Sequence, residues 1–475
     1  MKSTGLRIAL FILSVTLLLG LTTHVMRKKT DEEVRFQNLR NLENGTLDVL
    51  ILGSSHAHCS FYTDVFWTEY GISSFVLGGN RQTLWDSYYA LCDALETHRP
   101  KLIILEPFGV CLTAEQEGGM FAYGNTYALR LSENKIDAIR TAAPEDDFFS
   151  FLTVYPLFHT RYNDLTREDF VFRNPKPESK GTTFHKSQTP YAPPVIPADA
   201  LPAPVPEKAE TYYRRIIELV QKEEIPLLIV AAPFQHTDLQ YCQLLTARDI
   251  AKEYGVPFLN ANDVYATIGI DYATCFADET HLNFVGGPVF TKYVAGYVHH
   301  QYDLLDHRGD AAYASWDADA AVMKRRQYNC AQQGGVDLAP ILDRFRDPSY
   351  LIILSFSGQS HDAEAGLRNH LRGLHLEETG AGGIRVLCGE ETLRVCLPGE
   401  EAYLSTGGYD FYFKSETDAE TDGVVNTVLL DHVPVPETPE QNGMTVTVYD
   451  LLFREVVTSV VTWKDNDYNG FAWTK

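Results

Sequence analysis

Positive charge is scarce in this chain of 475 residues: 40 lysines and arginines stand against 63 aspartates and glutamates, a formal net charge of −23 at pH 7. Nucleic acid is thereby excluded as a general partner, because no basic face is available to release counterions from phosphates. Cysteine pairs at metal or redox spacing are also missing. The eight cysteines include no C-x-x-C and no Cys/His cluster of zinc type, so neither a zinc site nor a dithiol motif is expected. Cys388 and Cys396 either bridge a hairpin or remain buried thiols. His56 and His58 alternate along the chain, yet no carboxylate or third histidine stands at ligand spacing with them, so no metal and no other cofactor is expected. Internal repeats are absent.

What is present is globular in character, with 45% hydrophobic, 12% aromatic and 22% charged residues. The length calls for two or more domains. One uncharged apolar run, Ile8 to Val25, is long enough to cross a bilayer if Arg7 and Arg27 snorkel at its ends. No small-x-small cleavage pattern follows it, which favours an uncleaved anchor over a signal peptide. Lys2 and Arg7 on one side balance Arg27, Lys28 and Lys29 on the other, so charge alone leaves the orientation open.

Apolar runs ending in small or polar residues, at 48–53, 72–79, 101–106 and 226–232, predict buried parallel strands. Helical periodicity at 83–98 and 209–224 alternates with them, and that alternation predicts a doubly wound α/β sheet. Residues 107–208 interrupt the pattern with a proline-rich stretch that reads as an extended surface segment or a lid. The expected organisation is an anchor at 1–30 with a short cytoplasmic stub, an α/β domain at 31–302, a connector at 303–336 and a mainly β domain at 337–475.

Ligands of open parallel sheets bind at the carboxyl ends of the strands. There the sequence places Gly53-Ser54-Ser55-His56 after the first strand, Gly78-Gly79-Asn80 after the second and Glu106 after the third. Glu106 is either a group supporting the site or a buried hydrogen-bonded acid. Far downstream, "ADETHLNFVGG" sets Asp278 and His281 three residues apart. A serine nucleophile needs a base to take its proton and a carboxylate to orient that base, and a D-x-x-H loop supplies both. Gly53 permits a sharp exit that would expose a serine at a helix N-terminus. The bland alternative is a capped turn and a chance D-x-x-H.

"LGSSHAHCS", "LGGNRQTLWDSYYAL" and "DETHLNFVGG" together resemble the SGNH (GDSL-type) hydrolase superfamily over about residues 45 to 300, and within it the membrane-anchored, cell-envelope branch associated with polysaccharide O-acylation. The resemblance implies a flavodoxin-like SGNH fold, with Ser55 as nucleophile, His281 as base and Asp278 as its orienting carboxylate. It also implies oxyanion donors at the amides of Ser55 and Gly79, with Asn80 in reserve, because the family's Gly-x-Asn-Asp block is missing where the third strand runs into "LEPFGV". His56, Arg81, His159 and Arg161 are candidates to line the substrate mouth. For His159 and Arg161 the equal alternative is surface ion pairing with Asp164 and Glu168.

The activity so implied is serine-dependent transfer or hydrolysis of an acyl ester, O-acetyl by preference, on a surface polysaccharide or acylated carrier. The body would lie outside the cytoplasm, with a membrane-bound O-acyltransferase as partner. The alternative is a catalytically degenerate member that binds polysaccharide or scaffolds an O-acylation complex. A free lipase is disfavoured by the anchor and by the lack of a large apolar run near the motif. The base must be neutral to act, so an activity flat from about pH 8 to about pH 5 would count against the mechanism. "NGMTVTVYDLLFREVVTSVVTWKD" loosely resembles a strand pair of the ILEI/PANDER-type β domain, some members of which bind glycans, and Tyr409, Phe411, Tyr412 and Trp463 would suit sugar stacking if exposed. An unrelated β-sandwich with those aromatics half in its core is the alternative.

Overall fold

In the computed structural model the four apolar runs at 48–53, 72–79, 101–106 and 226–232 form one parallel sheet together with a fifth, shorter strand. The structure describes residues 2–27, 30–112, 119–153, 158–165, 167–170, 180–331, 338–357, 383–389, 391–406, 409–418, 423–430, 433–434, 443–453 and 455–463. The chain divides into two units, Met1–Arg325 and Arg326–Lys475.

In the first unit, β1 (Val49–Gly53), β2 (Ser74–Gly78), β3 (Leu102–Leu105), β4 (Leu227–Ala231) and β5 (Phe258–Asn260) lie in the order β2-β1-β3-β4-β5. All neighbours are parallel. Alternate side chains leave opposite faces of a strand, and both faces are covered here. Leu50, Leu52, Ile103, Leu105 and Ile229 enter one core, while Val49, Ile51, Ile104, Leu228 and Val230 enter the other. Each such side chain contributes about 1.5–3 kcal/mol when fully buried, and this two-sided burial is why the strands read as unbroken apolar runs.

The helix predicted over 83–98 spans Leu84–Leu95, opened by a reciprocal capping box between Thr83 and Asp86. Its partner spans Glu207–Lys222 and buries Tyr212, Tyr213, Ile216, Ile217 and Val220 at spacings of three and four. The fifth strand, three residues long, carries too little apolar sequence to have been predicted. The stretch expected as a connector holds the helix Ala314–Ala331, whose Trp316 is buried in the first core. Its alanine-rich, charge-studded sequence masks an apolar face made of few large residues.

The expected insertion contains helices Gly119–Tyr127, Glu133–Ala142 and Phe148–Thr153. Its later part is extended and runs beside the β2 edge of the sheet: the Val76 amide of β2 donates to the Lys180 carbonyl at 2.8 Å, and the Thr183 amide donates to the carbonyl of His58 at 2.7 Å. Gly181 is required there, since with φ +94° a Cβ would stand 1.8 Å from the Val76 carbonyl oxygen. The proline-rich stretch carries no helix or strand, and is tied down by the amides of Thr189 and Tyr191 donating to Phe276 and Tyr272 carbonyls, both at 2.9 Å.

Before the sheet come α1 (Lys2–Met26) and α2 (Asp31–Arg40). In α1, Gly5–Met26 is a 22-residue stretch apolar and long enough to cross a membrane.

The second unit is antiparallel. One sheet has the order β14-β13-β6-β7-β8 and the other β12-β11-β10-β9, the strands among the described residues being β6 (Tyr350–Ser357), β7 (Gly383–Cys388), β8 (Glu391–Cys396), β9 (Glu401–Thr406), β10 (Tyr409–Thr417), β11 (Val424–Leu430), β12 (Val433–Pro434), β13 (Gly443–Asp450) and β14 (Glu455–Trp463). Leu351, Ile353, Ile384 and Val386 of the first sheet share a core with Phe411, Phe413 and Val428 of the second. Phe411 is therefore core and not a stacking platform. Tyr412 is half-buried, 5.0 Å from the ring of exposed Tyr403, and the side chains of Tyr409 and Trp463 lie outside the described residues.

Cys388 and Cys396 are both free thiols. Cys388 faces Glu391 and Cys396 faces Ile384, at opposite ends of the β7–β8 ladder, so the register forbids the bridge.

Asn426 of β11 links the two sheets. Its side-chain amide donates to the Phe356 and Gly383 carbonyls and to Ser355 Oγ. Asn426→Ala leaves these carbonyls unmatched in the interior and is expected to cost the second unit about 2 kcal/mol. Hydrogen exchange of the β6 and β11 amides measures this, and a cost below about 0.5 kcal/mol would remove Asn426 as a tie between the sheets.

Candidate active site

In the order β2-β1-β3 the chain reverses direction of winding at β1, and ligands of such sheets bind in the crevice outside the carboxyl ends there. Gly53 ends β1 with φ +152°; a Cβ on it would lie 2.8 Å from Glu106 Cβ and 2.9 Å from Ala57 Cβ. Only glycine lets β1 turn this closely into α3 (Ser55–Ser60). Ser54 caps α3, its Oγ accepting from the His56 amide at 3.2 Å. Its hydroxyl also bonds to Glu106. Ser55 is the first residue of the helix, half-buried, and its amide has no helical acceptor.

Glu106 is 2% exposed and accepts from the Phe108 amide at 3.2 Å, with the Ala232 amide as a further donor. It therefore joins the carboxyl ends of β1, β3 and β4 at one carboxyl group. Burial pushes that carboxyl up to about 8, against the pull of these hydrogen bonds.

The loop carrying the predicted base is closed by Phe276 pairing with Leu282 and by the Ala277 amide donating to the His281 carbonyl at 2.9 Å. Within it Asp278 Oδ1 accepts the amides of Thr280 at 2.8 Å and His281 at 3.1 Å, while Oδ2 lies 2.8 Å from His281 Nδ1. One carboxylate thus folds the turn and orients the ring. Desolvation would raise the Asp278 carboxyl, but the hydrogen bonds from His281 and Thr280 outweigh it and hold the group well below the usual range.

His281 Nε2 is buried and has no partner among the described residues. Its ring is 5.8 Å from that of His56 and stacked at 5.3 Å on that of His185. His185 Nε2 in turn lies 3.1 Å from Cys59 Sγ. Cys59 is four residues after Ser55 and so one turn along the same face of α3. The structure thereby brings the Asp278–His281 pair alongside α3. Among the described residues no hydrogen bond joins Ser55 to His281, whose Nε2 is open; such bonds commonly form only once substrate is bound.

Of the expected oxyanion donors, the backbone amides of Gly79 and Asn80 are otherwise employed. The Gly79 amide donates to the Gly53 carbonyl at 3.3 Å, continuing the β1–β2 ladder, and the Asn80 amide donates to Glu32 Oε1 of α2 at 2.9 Å. The side chain of Asn80 borders His58.

His56 lies inside the protein and does not line a mouth. It is 1% exposed, stacked 3.7 Å from Phe108 and edge-on to Phe234 at 5.0 Å, with both ring nitrogens unpartnered among the described residues. Burial, then the neighbouring His281, drives its pKa well below the ordinary histidine value. Arg81 is exposed, with φ +48° and its guanidinium 5.0 Å over Phe121. His159 is exposed on the insertion. Arg161 pairs with Asp169 at 2.7 Å and caps the carbonyls of Met26 and Arg27 at 3.0 and 2.8 Å, so it ties down the end of α1 and is not paired as expected from sequence.

The site residues that sequence reasoning missed are His185, Phe108 and Phe234. The two phenylalanines had a signal: Pro107-Phe108 and Pro233-Phe234 repeat the same dipeptide just past β3 and β4. His185 had none, being brought in by the extended insertion. Among the described residues no group of three His, Cys, Asp or Glu is placed to hold a metal. No family model matches this chain, and no curated protein matches it either.

Proposed function

We propose that the chain transfers or hydrolyses acyl esters through an acyl-Ser55 intermediate. The reading is supported by one observation: a carboxylate-oriented histidine with an unpartnered buried Nε2 stands beside the helix that Ser55 opens, its ring 5.8 Å from that of His56. As Ser55 Oγ attacks the ester carbonyl, His281 Nε2 takes the hydroxyl proton and Asp278 stabilises the resulting imidazolium. Collapse of the tetrahedral intermediate breaks the ester bond, and the leaving alkoxide receives that proton. His281 then removes a proton from the acceptor, a sugar hydroxyl or water, which attacks the acyl carbon and restores Ser55. The Ser55 amide is the oxyanion donor, and one donor fewer costs about 10²–10³ in turnover, which favours a slow transferase over a fast esterase.

The resemblance to the envelope SGNH branch supports a surface polysaccharide as acceptor, a membrane O-acyltransferase as source of the acyl group, and an extracytoplasmic body held by α1. The engaged amides of Gly79 and Asn80 favour the second reading, a degenerate member that holds polysaccharide without turning it over.

The test treats the full chain in detergent, wild type and Ser55→Ala, with a fluorophosphonate probe and an aryl acetate. Labelling and acetate release that disappear together in Ser55→Ala are the expected result. If folded wild type is neither labelled nor active, the acyl-serine reading fails and the binding reading replaces it.

A further inference from the structure

The end of α1 is not a loose tether to the α/β body. Arg161 holds the carbonyls of Met26 and Arg27, the Arg27 guanidinium stands 5.1 Å over the Tyr127 ring, and the 3-10 turn Arg167–Phe170 lies against α1 itself. Tyr127 belongs to the helix Gly119–Tyr127, whose buried Tyr123 packs on Phe151 of the helix Phe148–Thr153 at 6.0 Å and on Phe158 at 5.2 Å. Tyr127, Arg161 and the turn Arg167–Phe170 of the insertion therefore meet at the point where α1 would leave a bilayer.

These same elements turn large apolar side chains outward. Met120, Phe121, Phe149, Tyr162 and Phe170 are 43% to 73% exposed, on two helices that pack on one another and two 3-10 turns that meet α1 or its end. Clustered exposure of this kind marks an interaction surface, and rings of aromatic residues are the usual choice at the boundary of lipid and water.

We infer that this face rests on the bilayer entered by α1, with Met120, Phe121, Phe149, Tyr162 and Phe170 immersed at its polar–apolar boundary. The occupant is a lipid surface because Phe170 stands on a turn that lies against the apolar helix and Tyr162 stands beside the arginine that holds its end. The inference rests on α1 as a membrane span and is independent of the chemistry at Ser55. It bears on that chemistry by position: Arg81 lies over Phe121, and Asn125 of the same helix donates to the Asn80 carbonyl at 3.4 Å. The rim of the candidate site after β2 thus shares a helix with the membrane face, which on the acyl-transfer reading suits a donor or acceptor held at the lipid surface.

The test reconstitutes the full chain in phosphatidylcholine vesicles containing a lipid with a diazirine in its acyl chain, followed by irradiation and mapping of labelled peptides. Labelling of the peptides holding Met120–Phe121, Phe149 and Tyr162–Phe170 is expected about tenfold above that at Leu201 and Leu239, which are as exposed but lie toward the β4–β5 end of the sheet. Phe149→Glu with Phe170→Glu should remove the label from those two peptides and leave that of α1 unchanged. Label confined to α1 overturns the inference and leaves α1 as a span, with a protein partner or second copy as the occupant to seek. Absence of label from α1 as well overturns it together with the span.

Discussion

On the acyl-serine reading, Asp278→Asn is expected to slow labelling of Ser55 by about 10⁴-fold, the loss seen when the same change is made in a serine protease triad. The geometry explains why so small a change is so costly. Asp278 Oδ2, 2.8 Å from His281 Nδ1, can only accept, so Nδ1 must carry the hydrogen and Nε2 is left as the proton acceptor. Asparagine keeps an oxygen for the Thr280 and His281 amides, and the turn survives. It then offers an N–H to Nδ1, which reverses the tautomer and closes Nε2 with a hydrogen. The carboxyl is held well below its usual range, so it stays charged above about pH 4 and contributes no slope to the rate there. Fluorophosphonate labelling rates of wild type and variant from pH 5 to pH 9, with circular dichroism as the fold control, measure the effect. A loss of less than about tenfold would remove Asp278 from the proposed triad.

Four of the five strands of the sheet were legible because each is apolar on two faces: Val49 and Ile51 fill one core, Leu50 and Leu52 the other, and nothing local competes with that reading. Asp278 and His281 were legible as neighbours because three residues of sequence separate them and the carboxylate itself builds the turn. Arg161 was not. Its partner Asp169 and the two carbonyls at the end of α1 are joined to it by tertiary contacts that no local pattern encodes. His185 was hidden for the same reason, since it reaches His281 only because the extended insertion follows the edge of β2. The amides of Gly79 and Asn80 stand at the right strand end, yet the ladder and α2 had prior use of them. Position relative to a strand could be read from the chain, whereas the hydrogen-bond commitments made at that position could not.

Glu106→Gln is expected to stabilise the α/β unit increasingly as pH rises, by on the order of 4 kcal/mol between about pH 4.5 and pH 8. The sign follows from burial. In the unfolded chain the carboxyl titrates near its ordinary value of 4.5, whereas in the folded protein burial moves it up to about 8. Between those values the folded state holds a proton that the unfolded state has released. The contribution of Glu106 is therefore fully present below the unfolded value and is lost as pH rises through the folded one. Glutamine is neutral throughout and has no such loss. His56 and His58 slope the opposite way: both are buried, both have pKa values depressed well below 6.5 chiefly by burial, and both cost stability as pH falls below that value. That limb is common to wild type and variant and cancels in the difference, so the difference isolates Glu106. Hydrogen exchange of the β1 and β3 amides at pH 5, 7 and 9 on the full chain reads it, because opening of either strand exposes the carboxyl that joins them to β4. A difference that stays constant with pH would mean that Glu106 is already charged in the folded protein. Ser54 would then hold an anion directly behind Ser55, where it would oppose the negative charge that develops on the substrate oxygen.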